Sequence, residues 1–397
     1  MKKLSLTAAA AALSALSYGA GFQVLEQGAA NMGTAMAGAV VNANNDASAA
    51  FENISTAAFM PLEEGETSVS ASISMVYPTL GLTSDSGGDY DCAVDAYVPN
   101  FFLVHKFTDD ISAGFSVTAP FGLESKYDSD WIGKAQSIHS FLLTTDINPS
   151  VSYKITDWLS IGLGVSAQYA YCKLTQFYTL AGAELDLRGH SWGVGGNAGF
   201  TVQYAEDGRF GFQWRSAVEQ NLDGNARLGG SVIKDIKASV SMPDTFIFGA
   251  YQRLRGDFKS FAVMADYSYT RWSLFEELNV QGIGTSPEQW KDTSRVSAGM
   301  HYYPEMIKDL TVRFGACYDE SPVTSAEMRT VRIPCSDRIW FAGGLGYTWE
   351  DITFDVSYAY IFTIGNSDIN RTEYGTTVTG EYYGHIHVIS MQVGFKF

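Results

Sequence analysis

The chain has 397 residues, of which 46% are hydrophobic, 14% are aromatic and only 17% are charged. This composition excludes a disordered or collagen-like chain. The formal net charge of −17, from 43 acidic and 26 basic residues, argues against a nucleic-acid partner, which requires a basic face. So many aromatic residues beside so few charges are unusual for soluble domains and predict an apolar environment around part of the surface.

The first nineteen residues have the pattern of a secretory signal peptide. Lys2 and Lys3 precede an apolar run from Leu4 to Leu16, and residues 17–19 provide a small-residue cleavage site. Residues 1–19 are therefore excluded from the fold, and the remaining chain carries a net charge of −19 because two lysines are lost. No later stretch approaches the roughly 18 to 20 apolar residues of a membrane helix, so we expect an exported protein without helical anchors.

The rest of the chain is dominated by segments in which apolar and polar residues alternate. Clear examples are Leu159–Ser166, Phe210–Arg215, Val263–Tyr269, Leu310–Phe314 and Ile352–Tyr358. A period of two is typical of β-strands with one apolar and one polar face.

The connections between these segments alternate between short and long. Short turns are predicted near 108–110, 155–158, 205–208, 255–257, 305–309 and 350–351. Longer polar loops are predicted near 81–97, 126–140, 178–188, 221–240, 275–292, 321–337 and 365–380. Six short and seven long connections join 14 strands, and an even count with one short-turn side is typical of outer-membrane barrels. We therefore predict an all-β fold, a 14-stranded antiparallel transmembrane β-barrel surrounded by outer-membrane lipid and lipopolysaccharide; the alternative is a secreted sandwich with fewer strands.

Residues 20–62 do not alternate and are rich in Gly, Ala and Asn. We predict that they form an N-terminal hatch that plugs the lumen, with residues 63–397 forming the barrel. Candidate hatch residues are Phe22, Gly33, Gly38 and Asn53. The alternative is a disordered tail, which would leave several large apolar side chains of this segment in water.

Several motifs resemble those of the FadL-like transporters of hydrophobic compounds in the outer membrane. They are residues 21–23, 33–38, 98–100, 189–193, 197–199, 291–295 and 319–323, followed by Arg329, Ile333-Pro334 and residues 337–340. The resemblance implies a 14-stranded barrel closed by an N-terminal hatch, with substrate leaving sideways into the membrane.

Two departures from that family bear on the substrate. The Asn-Pro-Ala motif of the hatch is reduced here to Asn53-Ile54-Ser55. Positions at which the fatty-acid transporters place basic residues align with the neutral Gln176 and Ser286. The sequence therefore favours a hydrophobic compound in general over a fatty acid in particular.

A candidate lateral opening lies in the predicted third strand at Ala119, Pro120, Phe121 and Gly122. Proline removes a donor from the strand ladder, and the nearby glycine permits a kink or bulge. The alternative is that Pro120 marks the end of the strand.

Three arginines, Arg215, Arg295 and Arg313, fall on inward positions of their strands and are candidates for binding an acidic substrate. The alternative is a structural network with the inward residues Asp266 and Asp355. Asp319, in the densest family motif, is expected to hold the hatch or a loop.

No catalytic, cofactor or metal site is predicted. The six histidines, His105, His139, His190, His301, His385 and His387, do not assemble with a nucleophile and an orienting group. Among the cysteines, Cys317 and Cys335 flank one loop and are the first choice for a disulfide, Cys92 and Cys172 would pair by elimination, and free thiols are the alternative.

These features predict a monomeric, non-enzymatic channel for passive uptake of a hydrophobic small molecule, gated by the hatch and with lateral exit through the kinked third strand. The alternative is a general diffusion porin or a structural barrel, which would need no hatch. The sequence alone does not name the substrate.

Overall fold

A computed structural model describes residues 21–397, and the predicted signal peptide, residues 1–19, lies outside the described residues. Within residues 21–397, helical structure is limited to α1 (Ala29–Met32), α2 (Ala49–Glu52) and three 3₁₀ turns, Ile54–Phe59, Gly256–Phe258 and Trp272–Leu274. Within the described range, no helix is both long and apolar enough to cross a membrane.

The described residues contain twenty-one strand segments. They are β1 (Thr67–Ser84), β2 (Asp89–Asp91), β3 (Ala96–Lys106), β4 (Ile111–Thr118), β5 (Gly122–Lys126), β6 (His139–Thr156), β7 (Leu159–Tyr178), β8 (Ala183–Ala205), β9 (Gly208–Arg215), β10 (Val218–Leu228), β11 (Ser231–Met242), β12 (Thr245–Arg253), β13 (Phe261–Thr270), β14 (Glu277–Val280), β15 (Gly284–Pro287), β16 (Thr293–Tyr302), β17 (Leu310–Asp319), β18 (Asp337–Trp349), β19 (Ile352–Ile364), β20 (Asp368–Glu373) and β21 (Thr376–Lys396).

The strands form one closed antiparallel barrel with 14 crossings of the wall. Three crossings are interrupted: the third consists of β4 and β5, the seventh of β9 and β10, and the eighth of β11 and β12. The last strand, β21, pairs with β1 along its length and closes the sheet. The predicted 14-stranded all-β barrel is confirmed, and closure leaves no long free sheet edge.

The alternation predicted from the sequence separates the outer and inner faces of the wall. On β19, for example, Phe354 and Val356 are 48% and 44% exposed, whereas the intervening Asp355 is only 9% exposed. Apolar side chains on the outer face suit contact with lipid, and the polar ones line the lumen.

All six predicted short turns join successive crossings, but three of the predicted long loops are wrong. At 365–380, β20 pairs with the first residues of β21, so most of that range is strand. β7 extends to Tyr178 and β8 begins at Ala183, so most of 178–188 is strand. β10 and β11 likewise consume the 221–240 region and are joined by Gly229 and Gly230, with φ of +55° and +87°. Two successive glycines in the left-handed region permit a two-residue hairpin, so the polar stretch continues as paired strands.

Residues 21–62, hereafter the N-terminal segment, contact inward-facing residues of the barrel wall and are almost entirely buried. The N–H groups of Gly38 and Val40 donate to the Asp266 carboxylate of β13 at 2.9 and 3.3 Å. Gly33 packs against Arg313, and a Cβ atom at that glycine would lie 3.2 Å from the arginine side chain. Such small residues let the segment approach the wall closely, as a plug requires. The predicted boundaries at residues 20, 62 and 63 and the role as a moving hatch stay predictions.

Candidate functional site

The third crossing is interrupted where the sequence predicts a lateral opening. β4 ends at Thr118 and β5 begins at Gly122. Thr118 is opposite Asp146 and Gly122 is opposite Leu143. The chain therefore advances four residues on this crossing over the interval in which β6 advances three. The extra residue is a bulge, and the bulge contains Pro120, which has no N–H to donate to the ladder.

This bulge separates the third crossing from its other neighbour, β3. β4 pairs with β3 only from Phe101 to Lys106, and in the described structure β5 pairs with β6 alone. Residues 96–100 of β3 and the β5 strand therefore face each other without a ladder. We call this interval the first seam.

The start of the N-terminal segment fills the first seam. Gln23 forms an isolated antiparallel bridge with Phe121. The Val24 N–H donates to the Pro120 carbonyl, and the Gly122 N–H donates to the Phe22 carbonyl, each at 2.9 Å. Backbone groups left open by the bulge are thus satisfied by the N-terminal segment instead of by β3.

Phe22 anchors this end of the segment in a group of aromatic side chains. Its ring centroid lies 4.7 Å from Trp272, 5.5 Å from Phe275, 5.8 Å from Trp290 and 6.0 Å from Phe121. Edge-to-face contacts at these distances add to the burial energy of the rings. The sequence analysis missed both tryptophans, although two tryptophans in and beside a predicted polar loop are a signal of burial.

A small cavity of about 50 Å³ lies between the N-terminal segment and the wall. Its lining includes Pro120 and Phe121 from the first seam, Phe51 and Glu52 from the segment, and Arg215 and Arg295 from the opposite wall, with Asp146, Ser216, Val218 and Pro243. A volume of that size holds a few water molecules at most. A larger ligand would require the N-terminal segment to move.

Two of the three predicted arginines line this cavity. The Arg215 guanidinium donates to the Phe51 carbonyl at 2.8 Å and lies 4.1 Å from the Phe51 ring centroid. Nη1 of Arg215 and Nη1 of Arg295 are both buried and have no hydrogen-bond partner within residues 21–397. Two buried cationic groups with unused donors are suited to bind an anionic or strongly accepting group.

Arg313 has a different role from the other two. Its Nη1 donates to Asp355 Oδ1 at 2.7 Å and its Nε donates to Asn44 Oδ1 at 2.9 Å. Arg313 therefore belongs to a structural network that joins the wall to the N-terminal segment, which was the alternative for this residue. Asp266, by contrast, accepts from segment backbone N–H groups rather than from an arginine side chain.

Glu52 places a carboxyl group near both cavity arginines. The residue is buried, and its Oε1 has no hydrogen-bond partner in the described structure. Burial raises the pKa of Glu52 to about 7, while Arg295 and Arg215 oppose that rise. The N-terminal segment contains three acids, Glu26, Asp46 and Glu52, and no base. This charge pattern opposite inward arginines was the signal that the sequence analysis did not use.

The remaining predicted hatch and loop residues have defined positions. Asn53 precedes the 3₁₀ turn, where its Oδ1 accepts from the Ser55 N–H at 3.3 Å and its Nδ2 donates to the Val40 carbonyl at 2.9 Å. Asn53 thus caps the start of this turn with its side chain. Asp319 accepts from Arg338 Nη2 at 3.1 Å, an ion pair within the wall; its contact with the hatch or a loop stays a prediction.

The predicted Cys317–Cys335 disulfide is wrong for this structure, because all four cysteines are free thiols in the described chain. Cys335 Sγ accepts from the Gly21 N–H at 3.4 Å and from Ser321 Oγ at 3.3 Å. Cys317 packs in a separate hydrophobic cluster on the wall. The two thiols therefore have different neighbours, and Cys92 and Cys172 are also unpaired.

The two neutral positions noted in the sequence each contact an arginine from another element. Arg332 Nη2 donates to Gln176 Oε1 at 2.5 Å, and Arg371 Nη2 donates to Ser286 Oγ at 2.8 Å.

No group of three or more His, Cys, Asp or Glu side chains in residues 21–397 is placed to hold a metal ion.

A closed 14-strand barrel with a buried N-terminal segment and an interrupted third crossing defines a class of outer-membrane channel. The family described as outer membrane protein transport protein (OMPP1/FadL/TodX) matches residues 10–397, and the chain belongs to this family. The protein is thus an outer-membrane transport protein of the FadL/TodX type and not an enzyme.

Individual relatives and structures agree with this assignment. The chain is 27% identical to the long-chain fatty acid transport protein of Escherichia coli O6:H1, covering 90% of each chain, and 29% identical to the 47 kDa outer membrane protein of Pasteurella multocida, again covering 90% of each. A Pseudomonas aeruginosa FadL homologue superposes with a TM-score of 0.86 at 21% identity, covering 95% of this chain and 99% of that one. The Ralstonia pickettii toluene transporter TbuX superposes with a TM-score of 0.66 at 20% identity, covering 93% and 98%. At these identities the two structures support the fold alone.

Proposed function

We propose that the protein takes up hydrophobic compounds passively, and that substrate leaves the lumen sideways through the first seam after the N-terminal segment moves. The observation that carries this proposal is the change of hydrogen-bond partners at the bulge. The Pro120 carbonyl accepts from the Val24 N–H, and the Gly122 N–H donates to the Phe22 carbonyl, instead of either group pairing with β3. Withdrawal of the segment would leave an opening in the wall beside an apolar aromatic group.

Lateral exit has a thermodynamic advantage for such a substrate. Keeping a methylene group out of water is worth about 0.8 kcal/mol, so a ten-carbon chain released into the periplasm would lose about 8 kcal/mol of transfer free energy. Release through the first seam keeps the chain in an apolar medium throughout.

The substrate class that we propose includes both fatty acids and aromatic hydrocarbons, the compounds named for the relatives above. Arg215 and Arg295 are proposed to receive an acidic head group, because each has a buried N–H donor without a partner in the described chain. A neutral hydrocarbon would use the apolar surfaces of Phe22 and Phe121 instead.

A general diffusion porin is the competing function. It would need a continuous aqueous lumen, whereas here the N-terminal segment fills the lumen and the cavity beside Pro120 and Arg215 holds only about 50 Å³. We therefore favour the gated channel.

A reversible crosslink tests the exit route. Gln23→Cys with Phe121→Cys joins bridge partners across the first seam, in a background that lacks the native cysteines. We expect the oxidised form to take up neither oleate nor toluene and the reduced form to take up both.

Ala250→Cys with Ala265→Cys is the matched control, because these register partners lie on the fully paired strands β12 and β13. Equal uptake by the oxidised and reduced forms of the Gln23/Phe121 variant would show that substrate does not pass the first seam.

A further inference from the structure

A second interruption lies in the wall between β8 and the seventh crossing. β8 pairs with β10 up to His190, which is opposite Asp223, and pairs with β9 from Asn197, which is opposite Arg215. From His190 to Asn197 the chain advances seven residues on β8, whereas from Arg215 to Asp223 it advances eight on the seventh crossing. The one-residue mismatch removes the ladder between the seventh crossing and residues 191–195 of β8, and we call this interval the second seam.

The eighth crossing shares the irregularity of the seventh. Val218 is opposite Met242 and Arg215 is opposite Thr245, so the two crossings bulge together at Ser216-Ala217 and Pro243-Asp244 and remain paired with each other. β8 has no matching bulge. The mismatch is therefore concentrated at the second seam.

One backbone hydrogen bond borders the second seam, where the Ser216 N–H donates to the Gly196 carbonyl at 2.8 Å, and side chains close the seam itself. The Val218 side chain packs directly against Gly193 and Gly195 of β8. Cβ atoms built at these two glycines would lie 2.5 and 2.8 Å from the Val218 methyl groups. Above it, Ser191 Oγ donates to Gln220 Oε1 at 2.6 Å, and Gln220 Nε2 donates to Gln168 Oε1 at 3.2 Å.

The second seam has lipid-facing residues on one side and the cavity on the other. Trp192 and Val194 on the outer face are 63% and 74% exposed. On the inner face, Ser216 and Val218 line the same cavity that touches Pro120 in the first seam. One cavity therefore borders two interrupted parts of the wall.

We propose that the second seam is a further lateral passage between the lumen and the membrane, selective for amphiphiles with a hydrogen-bonding head group. This inference rests on the proposed uptake function. Rotation of Val218 and Gln220 would open the interval without breaking a strand ladder, whereas opening a paired interval of this length would break several backbone hydrogen bonds. The hydroxyl and amide groups of Ser191, Gln168 and Gln220 can exchange their mutual bonds for bonds to a carboxyl or hydroxyl head, while Trp192 and Val194 contact the tail.

A crosslink across the second seam tests the passage. A Cβ atom at Gly195 would lie 2.9 Å from Ser216 Oγ, so the side chains at these two positions are in contact. Positions this close suit a disulfide, in which the two Cβ atoms are about 3.8 Å apart. For Gly195→Cys with Ser216→Cys in the cysteine-free background, we expect oxidation to lower oleate uptake by about twofold, because oleate can still leave through the first seam. The Gln23/Phe121 crosslink stops both routes, because it also holds the N-terminal segment beside the cavity. Toluene has no head group, so its uptake should be unchanged.

The outcomes separate this passage from the proposed function. Unchanged oleate uptake after oxidation, with uptake still blocked by the Gln23/Phe121 crosslink, would overturn the second passage and leave the proposed function standing. A loss of toluene uptake equal to that of oleate would overturn the selectivity for amphiphiles. If the Gln23/Phe121 crosslink has no effect while the Gly195/Ser216 crosslink blocks oleate, the first seam fails as the exit and the second seam is supported.

A second variant does not depend on disulfide formation. Val218→Ala removes the side chain that covers Gly193 and Gly195, so oleate uptake should rise relative to toluene uptake. An unchanged ratio would contradict the assignment of Val218 as the closing side chain. The Ala250/Ala265 pair again serves as the control for oxidation.

Discussion

Arg215, Arg295 and Arg313 all point into the lumen, but they differ in what compensates their charge. Arg313 has a carboxylate partner at 2.7 Å, whereas Arg215 and Arg295 each retain a buried nitrogen without a hydrogen-bond partner in residues 21–397. An unused buried donor is costly unless a ligand or water satisfies it. The geometry therefore divides the three arginines into one structural residue and two candidates for ligand binding.

Neutral substitutions of the cavity arginines should discriminate between substrates. For Arg215→Gln and Arg295→Gln we expect about a tenfold loss of oleate affinity, since a hydrogen bond to a charged group is worth about 1.5 kcal/mol or more. Toluene binding should not change. The measurement is equilibrium binding of each compound to the purified protein.

Arg313→Gln is the comparison variant for this prediction. It leaves Asp355 buried without its partner, which typically costs about 3 to 5 kcal/mol, so it should lower thermal stability and affect both substrates alike. An equal loss of oleate and toluene binding in Arg215→Gln would argue that this arginine is structural too.

At the scale of elements, the N-terminal segment combines small-residue packing with buried acidic groups whose ionisation opposes the packed state. Its three acids and no bases lie within a wall that presents inward arginines. Burial raises the pKa of both Glu26 and Glu52 to about 7. For Glu52, Arg295 and Arg215 oppose the rise, and Asp266 and Asp46 add to it. The packed position of the segment therefore depends on proton occupancy.

The direction of this pH dependence follows from the raised pKa values. A carboxyl group with a pKa near 4.5 in water and about 7 when packed favours the packed state below pH 4.5, and this contribution is lost as pH rises through 7. For each fully buried carboxyl group, the free energy that favours the packed segment changes by about 3 kcal/mol between low and high pH. Hydrogen exchange in residues 22–60, corrected for the intrinsic pH effect, should be faster at pH 8 than at pH 5.

Amides of β18 and β19, which are fully paired with each other, are the internal control for this measurement. Glu52→Gln should weaken the pH dependence because one of the two groups no longer titrates. Faster corrected exchange at pH 5 than at pH 8 would contradict the proposed role of the two carboxyl groups.

At the scale of the whole molecule, the N-terminal segment divides the lumen. A cavity of about 330 Å³ opens on the short-turn side and is lined by Asn44, Asp46, Arg313 and Asp355, whereas the smaller cavity with Arg215 lies on the other side of the segment. The two cavities share none of these residues. The barrel therefore has the diameter of a channel but no wide continuous passage through the described structure.

The intact protein should accordingly conduct little current in planar bilayers. Deletion of residues 22–55 should raise the conductance several-fold, because a 14-stranded barrel without its plug encloses an aqueous lumen. A large, steady conductance of the intact protein would support the porin alternative instead.

A point substitution provides the same test without a deletion. A Cβ atom at Gly315 would overlap the backbone carbonyl of Thr34, whereas at Gly343 the nearest heavy atom is 3.6 Å away. Gly315→Ala should therefore displace the segment and raise conductance, and Gly343→Ala should not. Equal conductance of the two variants would show that this contact does not hold the segment in place.

The sequence by itself determined the number of wall crossings and the face on which each strand residue lies. Period-two alternation forces neighbouring side chains to opposite faces, and the short turns separate the crossings, so the inward positions of Arg215, Arg313 and Asp355 follow from local chemistry alone. The proline and glycine near residue 120 likewise indicate an interrupted strand, because their backbone preferences are intrinsic. The polar stretches at 178–188, 221–240 and 365–380 are paired hairpins and not the predicted loops, because polarity alone does not distinguish the two.

Only the tertiary structure decided which crossings lose their partners and what replaces them. The second seam results from a difference of one residue between β8 and the seventh crossing. This difference depends on how the two crossings pair, and neither segment shows it by itself. The ring contacts of Phe22 with Trp272 and Trp290, and the electrostatic interaction of Glu52 with the cavity arginines, join residues more than 150 positions apart. Such partners are chosen by closure of the barrel, which sets the distances between strands that local sequence preferences cannot specify.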